Sequence, residues 1–182
     1  RCGNESEFSA QIVGNAKTVV TAAHGFFDEN CNKHDLKTCT FKPYFGKSEP
    51  LEFEPTKSFL KSCVPNHLPS DTETDWAVLE LKKPLKGATP FKISKIGRAM
   101  RKGDEILQVS AGSDDFKGIG FGPCLVLGVN RRVQGSPYRL PASTDCAGAP
   151  GASGSGQFMK NESGEWEILG IASSVSGKAK NG

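Results

Sequence analysis

Three polar residues stand where reactive groups are useful, each at the end of a short apolar or small-residue run. His24 closes Val19-Val20-Thr21-Ala22-Ala23-His24, which sets an imidazole at a strand end beside two small residues. Asp75 stands directly before Trp76-Ala77-Val78-Leu79-Glu80-Leu81, a run with strand character that enters a core. Ser153 lies in Gly148-Ala149-Pro150-Gly151-Ala152-Ser153-Gly154-Ser155-Gly156, where flanking glycines open backbone conformations forbidden to other residues. Each has an ordinary reading: a surface histidine, a turn aspartate, a flexible spacer. The spacer reading has no use for His24 and Asp75, whereas acyl transfer by Ser153 needs both. A serine nucleophile also needs its own N–H and that of residue 151 turned toward a developing oxyanion, and a side chain at Gly151 would hinder that approach.

In the order His, Asp, Ser, the segments Thr21-Ala22-Ala23-His24, Asp75 before Ala77-Val78-Leu79, and Gly151-x-Ser153-Gly154 resemble the chymotrypsin-like (trypsin-like) serine peptidases. The likeness runs from about Gln11 to Gly177, with 50 residues between the first two groups and 77 between the last two. Thr144-Asp145-Cys146-Ala147 and Pro150-Gly151-Ala152-Ser153-Gly154-Ser155 are closer to bacterial HtrA-type and glutamyl-endopeptidase-type loops than to digestive trypsins. Position 152 departs from the trypsin pattern: Ala152 has no charge with which to bind a freed N-terminus, so no trypsin-style activation switch is expected. Gly25 likewise replaces the cysteine that commonly follows this histidine in animal enzymes.

The resemblance implies a mechanism. His24 takes the proton of Ser153 as its Oγ attacks the scissile carbonyl, Asp75 fixes the imidazole, and the Gly151 and Ser153 N–H groups bind the oxyanion. Neither a metal nor an organic cofactor is required, and the partners expected are a polypeptide substrate and a protein inhibitor. Ala147, Pro150, Ser173, Ser174 and Val175 would line the substrate site. Val175, where trypsins have glycine, narrows the primary pocket, and no aspartate lies between Ala147 and Pro150, so small aliphatic P1 residues are expected. Asp145 is the nearest carboxylate. The alternative is a catalytically silent binding or adhesion module on the same fold. His34 and His67 receive no role, and Gly118-Ile119-Gly120-Phe121-Gly122 reads as a turn between strands.

The elements that must position these groups are strands. Short apolar or alternating runs bounded by Gly, Pro, Asn and Asp recur at Ile12-Val13, 18–21, 40–45, 76–81, 106–110, 125–129 and 166–173, the pattern of an all-β chain. One helical turn is expected at His24, and Gln157-Phe158 should return the chain to a strand. The basic stretch 82–104, with Pro84, Gly87, Pro90, Gly97 and Gly103, reads as a connector. The fold expected is all-β, with two six-stranded-type antiparallel β-barrels and the active site in the cleft between them. Residues 1–97 would carry His24 and Asp75, and residues 98–182 would carry Ser153 and the specificity pocket.

Six cysteines without a C-x-x-C pair favour three disulfides over a zinc site. Cys31–Cys39 is the only local pair, Cys124 and Cys146 flank second-half strands, and Cys2–Cys63 would then remain. Disulfides and the abrupt start at Arg1 point to a secreted or periplasmic chain whose leader has been removed. A net charge of +3 is too small and scattered for nucleic acid, no apolar run is long enough for a membrane span, and a monomer is expected. Asn4-Glu5-Ser6 and Asn161-Glu162-Ser163 fit the glycosylation pattern.

Overall fold

Asn15 turns the chain at its first hairpin: its side-chain oxygen accepts from the N–H groups of Lys17 (2.8 Å) and Thr18 (3.0 Å). On either side run β1 (Ala10–Ile12) and β2 (Thr18–Thr21), paired antiparallel. The structure, a computed structural model, describes residues 1–2, 7–28, 30–44, 49–60, 75–94, 100–111, 119–132, 139–146, 148 and 151–173. The architecture is all-β, and the only helical elements among these residues are three short 3₁₀ turns.

The first sheet orders β1-β2-β6-β5, where β5 is Phe59–Leu60 and β6 is Ala77–Glu80. Alternation decides its faces. Val19 and Thr21 of β2 and Ala77 and Leu79 of β6 are buried, and Val19, Ala77 and Leu79 meet Ile12, Phe26, Leu36, Phe53 and Leu81 in one apolar cluster. A two-stranded ladder of β3 (Thr40–Phe41) and β4 (Leu51–Glu52) lies beside it in sequence.

The second sheet orders β10-β9-β8-β11-β12-β7. Its strands are β7 (Lys92–Ile93), β8 (Glu105–Ala111), β9 (Ile119–Arg132), β10 (Arg139–Thr144), β11 (Gly156–Lys160) and β12 (Trp166–Ile171). Every ladder is antiparallel except β12 with β7. Val13 and Val20 from the first sheet pack with Phe158, Ile168, Leu107 and Val109 of the second, so one apolar cluster spans the two sheets. Among the described residues the ladders form open sheets rather than closed barrels.

Several expectations change. The stretch 82–104 holds β7, whose two residues are both exposed and carry no alternation to reveal them. Residues 119–122 are strand rather than turn, pairing with 108–111 of β8. The strand expected at 40–45 is regular only at Thr40–Phe41. Cys39 bonds Cys2, not Cys31, which also removes the Cys2–Cys63 pairing. The cause is local pairing at the start of the chain: Arg1 N–H donates to Thr40 O and Thr40 N–H to Arg1 O, which sets Cys2 beside Cys39. Cys31 is disulfide-bonded as well, and Cys63 lies outside the described residues.

Cys124 and Cys146 are joined, as their strand-flanking positions suggested. The two disulfides, Cys2–Cys39 and Cys124–Cys146, mark an oxidising, extracytoplasmic environment. Among the described residues no helix is long and apolar enough to cross a membrane.

Candidate active site

The register of β2 against β6 brings His24 and Asp75 together. Thr21 pairs with Ala77 in an antiparallel ladder, so His24, three residues after Thr21, and Asp75, two before Ala77, leave the sheet at the same end. Between Thr21 and His24 the chain passes through Ala22 and Ala23, 0% and 1% exposed, and larger side chains would have no room there. His24 then opens the 3₁₀ turn His24–Phe26. A Cβ at Gly25 would lie 2.6 Å from the Phe8 ring, so the residue after the histidine must be glycine for this packing to hold.

Asp75 grips the histidine twice. Its Oδ1 accepts the His24 backbone N–H at 2.8 Å, and its Oδ2 lies 2.7 Å from Nδ1. A carboxylate can only accept, so Nδ1 carries a proton and Nε2 is the nitrogen left for a second partner. The Ser173 hydroxyl donates to the same Oδ2 at 2.5 Å. The Asp75 side chain is only 11% exposed, against 29% for His24. Burial pushes the Asp75 carboxyl up, but hydrogen bonds from His24 and Ser173 and the histidine's charge outweigh it and hold the group below its ordinary value. The carboxylate on Nδ1 fixes the orientation of the imidazole and presents Nε2 on the opposite side of the ring.

Ser153 sits in the turn between Gly151 (φ +87°) and Gly154 (φ +78°), both in the left-handed region. Gly154 is pressed against the end of β2: a Cβ there would overlap Ser9 O and Thr21 Oγ1 and come within 3.1 Å of Ala22 N. On its other side Gly154 N–H donates to Ala172 O (2.7 Å), and Ala172 N–H returns a bond to Ser155 O (2.8 Å). The Ser153 turn is thus seated between Thr21-Ala22, just before His24, and Ala172-Ser173, which reaches Asp75. Direct hydrogen bonds join His24, Asp75 and Ser173, while Ser153 is tied to them through the backbone of its own loop.

Among the described residues, the N–H groups of Gly151 and Ser153 meet no protein acceptor. Ala152 is 6% exposed, an apolar side chain turned into the protein. Asp145 is engaged elsewhere: its Oδ1 accepts from Leu125 N–H at 2.6 Å, at the end of the β9–β10 ladder. Ala147, Pro150, Ser174 and Val175 lie outside the described residues. Ser173, expected as a wall of the substrate site, has its hydroxyl on Asp75. Among the described residues no group of three His, Cys, Asp or Glu side chains could hold a metal ion.

Two further hydroxyls support the turn and were not singled out in the sequence. Ser9, fully buried, donates from its hydroxyl to Gly151 O (2.7 Å) and from its backbone N–H to Ser153 O (2.8 Å). Ser155, also fully buried, places its hydroxyl on Ala152 O. A serine just after the Gly-x-Ser-Gly stretch was a visible signal for Ser155, whereas Ser9 carries none. No protein-family model and no curated protein matches this chain.

Proposed function

We propose that this protein is a secreted serine endopeptidase of the chymotrypsin-like kind, working through His24, Asp75 and Ser153. The observation that carries the reading is the partly buried Asp75 carboxylate bonded to both the backbone N–H and Nδ1 of His24. In this reading Nε2 of His24 removes the Ser153 proton as Oγ attacks a peptide carbonyl. The Gly151 and Ser153 N–H groups receive the oxyanion, and His24 returns the proton to the leaving amine. Water then repeats the sequence on the acyl-enzyme and releases the acid. The four- and six-stranded sheets take the place of the two expected barrels, β7 crossing the expected boundary at residue 97 to join the second sheet, and the substrate chain would lie between them. Val175 narrows the primary pocket toward small aliphatic P1 residues, and no cofactor takes part.

A fluorophosphonate probe tests the reading, since it reacts only with an activated serine. Wild type should be labelled at Ser153 and should cleave chromogenic peptides ending in Ala or Val faster than those ending in Phe, Lys or Glu. Ser153→Ala should lose labelling and on the order of a millionfold in turnover. A wild-type protein that binds peptides without labelling or cleavage would instead be a binding module, and strong preference for Lys would overturn the pocket assignment.

A further inference from the structure

The turn bearing Ser153 has each of its three successive carbonyls, at residues 151, 152 and 153, held by a hydrogen bond from a buried serine. Gly151 O accepts from the Ser9 hydroxyl (2.7 Å) and Ser153 O from the Ser9 backbone N–H (2.8 Å). Ala152 O accepts twice from Ser155, from its backbone N–H at 3.0 Å and from its hydroxyl at 2.5 Å. Ser9 and Ser155 are each 0% exposed, so water does not compete for these contacts.

Both serines are themselves held. Ser9 Oγ accepts from Ala111 N–H at 2.8 Å at the end of β8, and Ser9 O accepts from the Thr21 hydroxyl. Ser155 Oγ lies 2.7 Å from Ser110 Oγ, also in β8. A hydroxyl has one proton, and a carbonyl can only accept. The Ser155 proton therefore goes to Ala152, and the Ser110 hydroxyl supplies its own to Ser155.

A trans peptide is planar, with its C=O and N–H pointing in opposite directions. Holding Ala152 O against Ser155 therefore aims the Ser153 N–H the other way, out of the turn. Resting on the acyl-transfer reading of Ser153, we propose that the Ser155 hydroxyl is a positioning residue for the oxyanion donor, while Ser9 holds the peptides on either side through Gly151 O and Ser153 O. The Ser155 hydroxyl fixes the Ala152–Ser153 peptide so that the Ser153 N–H is aimed before substrate arrives. The backbone N–H of Ser155 alone supplies one bond to Ala152 O, and a peptide held by one bond can rock about its Cα–Cα axis. The hydroxyl removes that freedom. Neither serine touches substrate; each acts through the backbone of its neighbour.

The test is Ser155→Ala, with Ser155→Thr as the conservative variant and Ser9→Ala loosening only the adjoining Gly151–Ala152 peptide. Removal of an oxyanion donor costs about 10²–10³ in kcat, and misaiming one should cost about 10- to 100-fold. Expected for Ser155→Ala is that loss in kcat with KM within about twofold, and a matching loss in affinity for a peptide aldehyde, which forms a tetrahedral adduct. Binding of the corresponding product acid should be unchanged, and Ser155→Thr should recover most of the rate. A change confined to KM, or kcat and aldehyde affinity both within twofold of wild type, overturns the proposal. If Ser155→Ala fails to fold, Ser155→Cys, which fills the same space with a weak donor, carries the same comparison. If wild type neither labels nor cleaves, the peptidase reading fails by itself. The clamp is then decided by a crystal structure of Ser155→Ala, where a rotated Ala152–Ser153 peptide supports it and an unrotated one refutes it.

Discussion

Replacing Gly154 by alanine asks how tightly the Ser153 turn is built into the end of β2. The added Cβ would overlap Ser9 O and Thr21 Oγ1. Those two atoms are hydrogen-bonded to each other, and both residues are fully buried, so neither can step aside cheaply. Two costs combine. A non-glycine residue at φ +78° costs about 1–2 kcal/mol, and forcing a methyl into a filled site costs about 1–3 kcal/mol.

Near the middle of these ranges, at roughly 3.5 kcal/mol, and at about 3 °C per kcal/mol for a chain of this size, the melting temperature should fall by about 10 °C. Gly164 supplies the control: its φ is +79°, yet nothing lies within 4 Å of where its Cβ would stand. Gly164→Ala therefore bears only the conformational cost and should lose roughly 3–6 °C. Thermal denaturation measures both, and fluorophosphonate labelling should be lost in Gly154→Ala but kept in Gly164→Ala. Equal losses in the two variants would refute the reasoning, because backbone strain alone would then account for both.

Asp75→Asn should leave the fold in place but present the wrong hydrogen-bonding partner to Nδ1, lowering kcat by about 10⁴ in a peptide assay. The same carboxyl contributes to acid stability. Its folded-state value lies below the ordinary 3.8, so its contribution is complete above that pH and is lost as pH falls through the folded value; urea midpoints measured against pH should show this limb in wild type and not in Asp75→Asn. Replacing Cys124 and Cys146 by serine opens a loop closed across 22 residues and should cost about 3 kcal/mol in a denaturant titration under otherwise oxidising conditions.

Alternation made much of the scaffold legible. Thr18–Thr21, Ala77–Glu80 and Trp166–Ile171 carry apolar residues bounded by turn formers, and each is a strand. Gln157-Phe158 entered β11 as expected. What stayed hidden depends on partners distant in the chain. β7 is two exposed residues that become a strand only because Glu167 and Ile168 lie beside them. Cys2 finds Cys39 through a backbone ladder that no cysteine spacing encodes.

The candidate site divides the same way. His24, Asp75 and Ser153 stood out because their neighbours are small, apolar or glycine. The hydroxyls that hold them did not, because Ser9 bonds Gly151 across 142 positions and Ser173 bonds Asp75 across 98. A serine in such a role looks like any other serine until the fold brings its partner to it.

The parallel pairing of β7 with β12 has a consequence for how the molecule is made. Lys92 must wait for Glu167, 75 positions later (167 minus 92), before its strand exists. Contacts that close so much chain form slowly, and a chain emerging from the ribosome meets them last. The residue after β12, Ala172, anchors the Ser153 turn, and Ser173 completes the shell around Asp75. A growing chain can therefore pair His24 with Asp75 long before it can seat Ser153, and any chain cut short of residue 173 lacks the finished site. In the proposed reading, topology alone defers reactivity until residue 173 has been made.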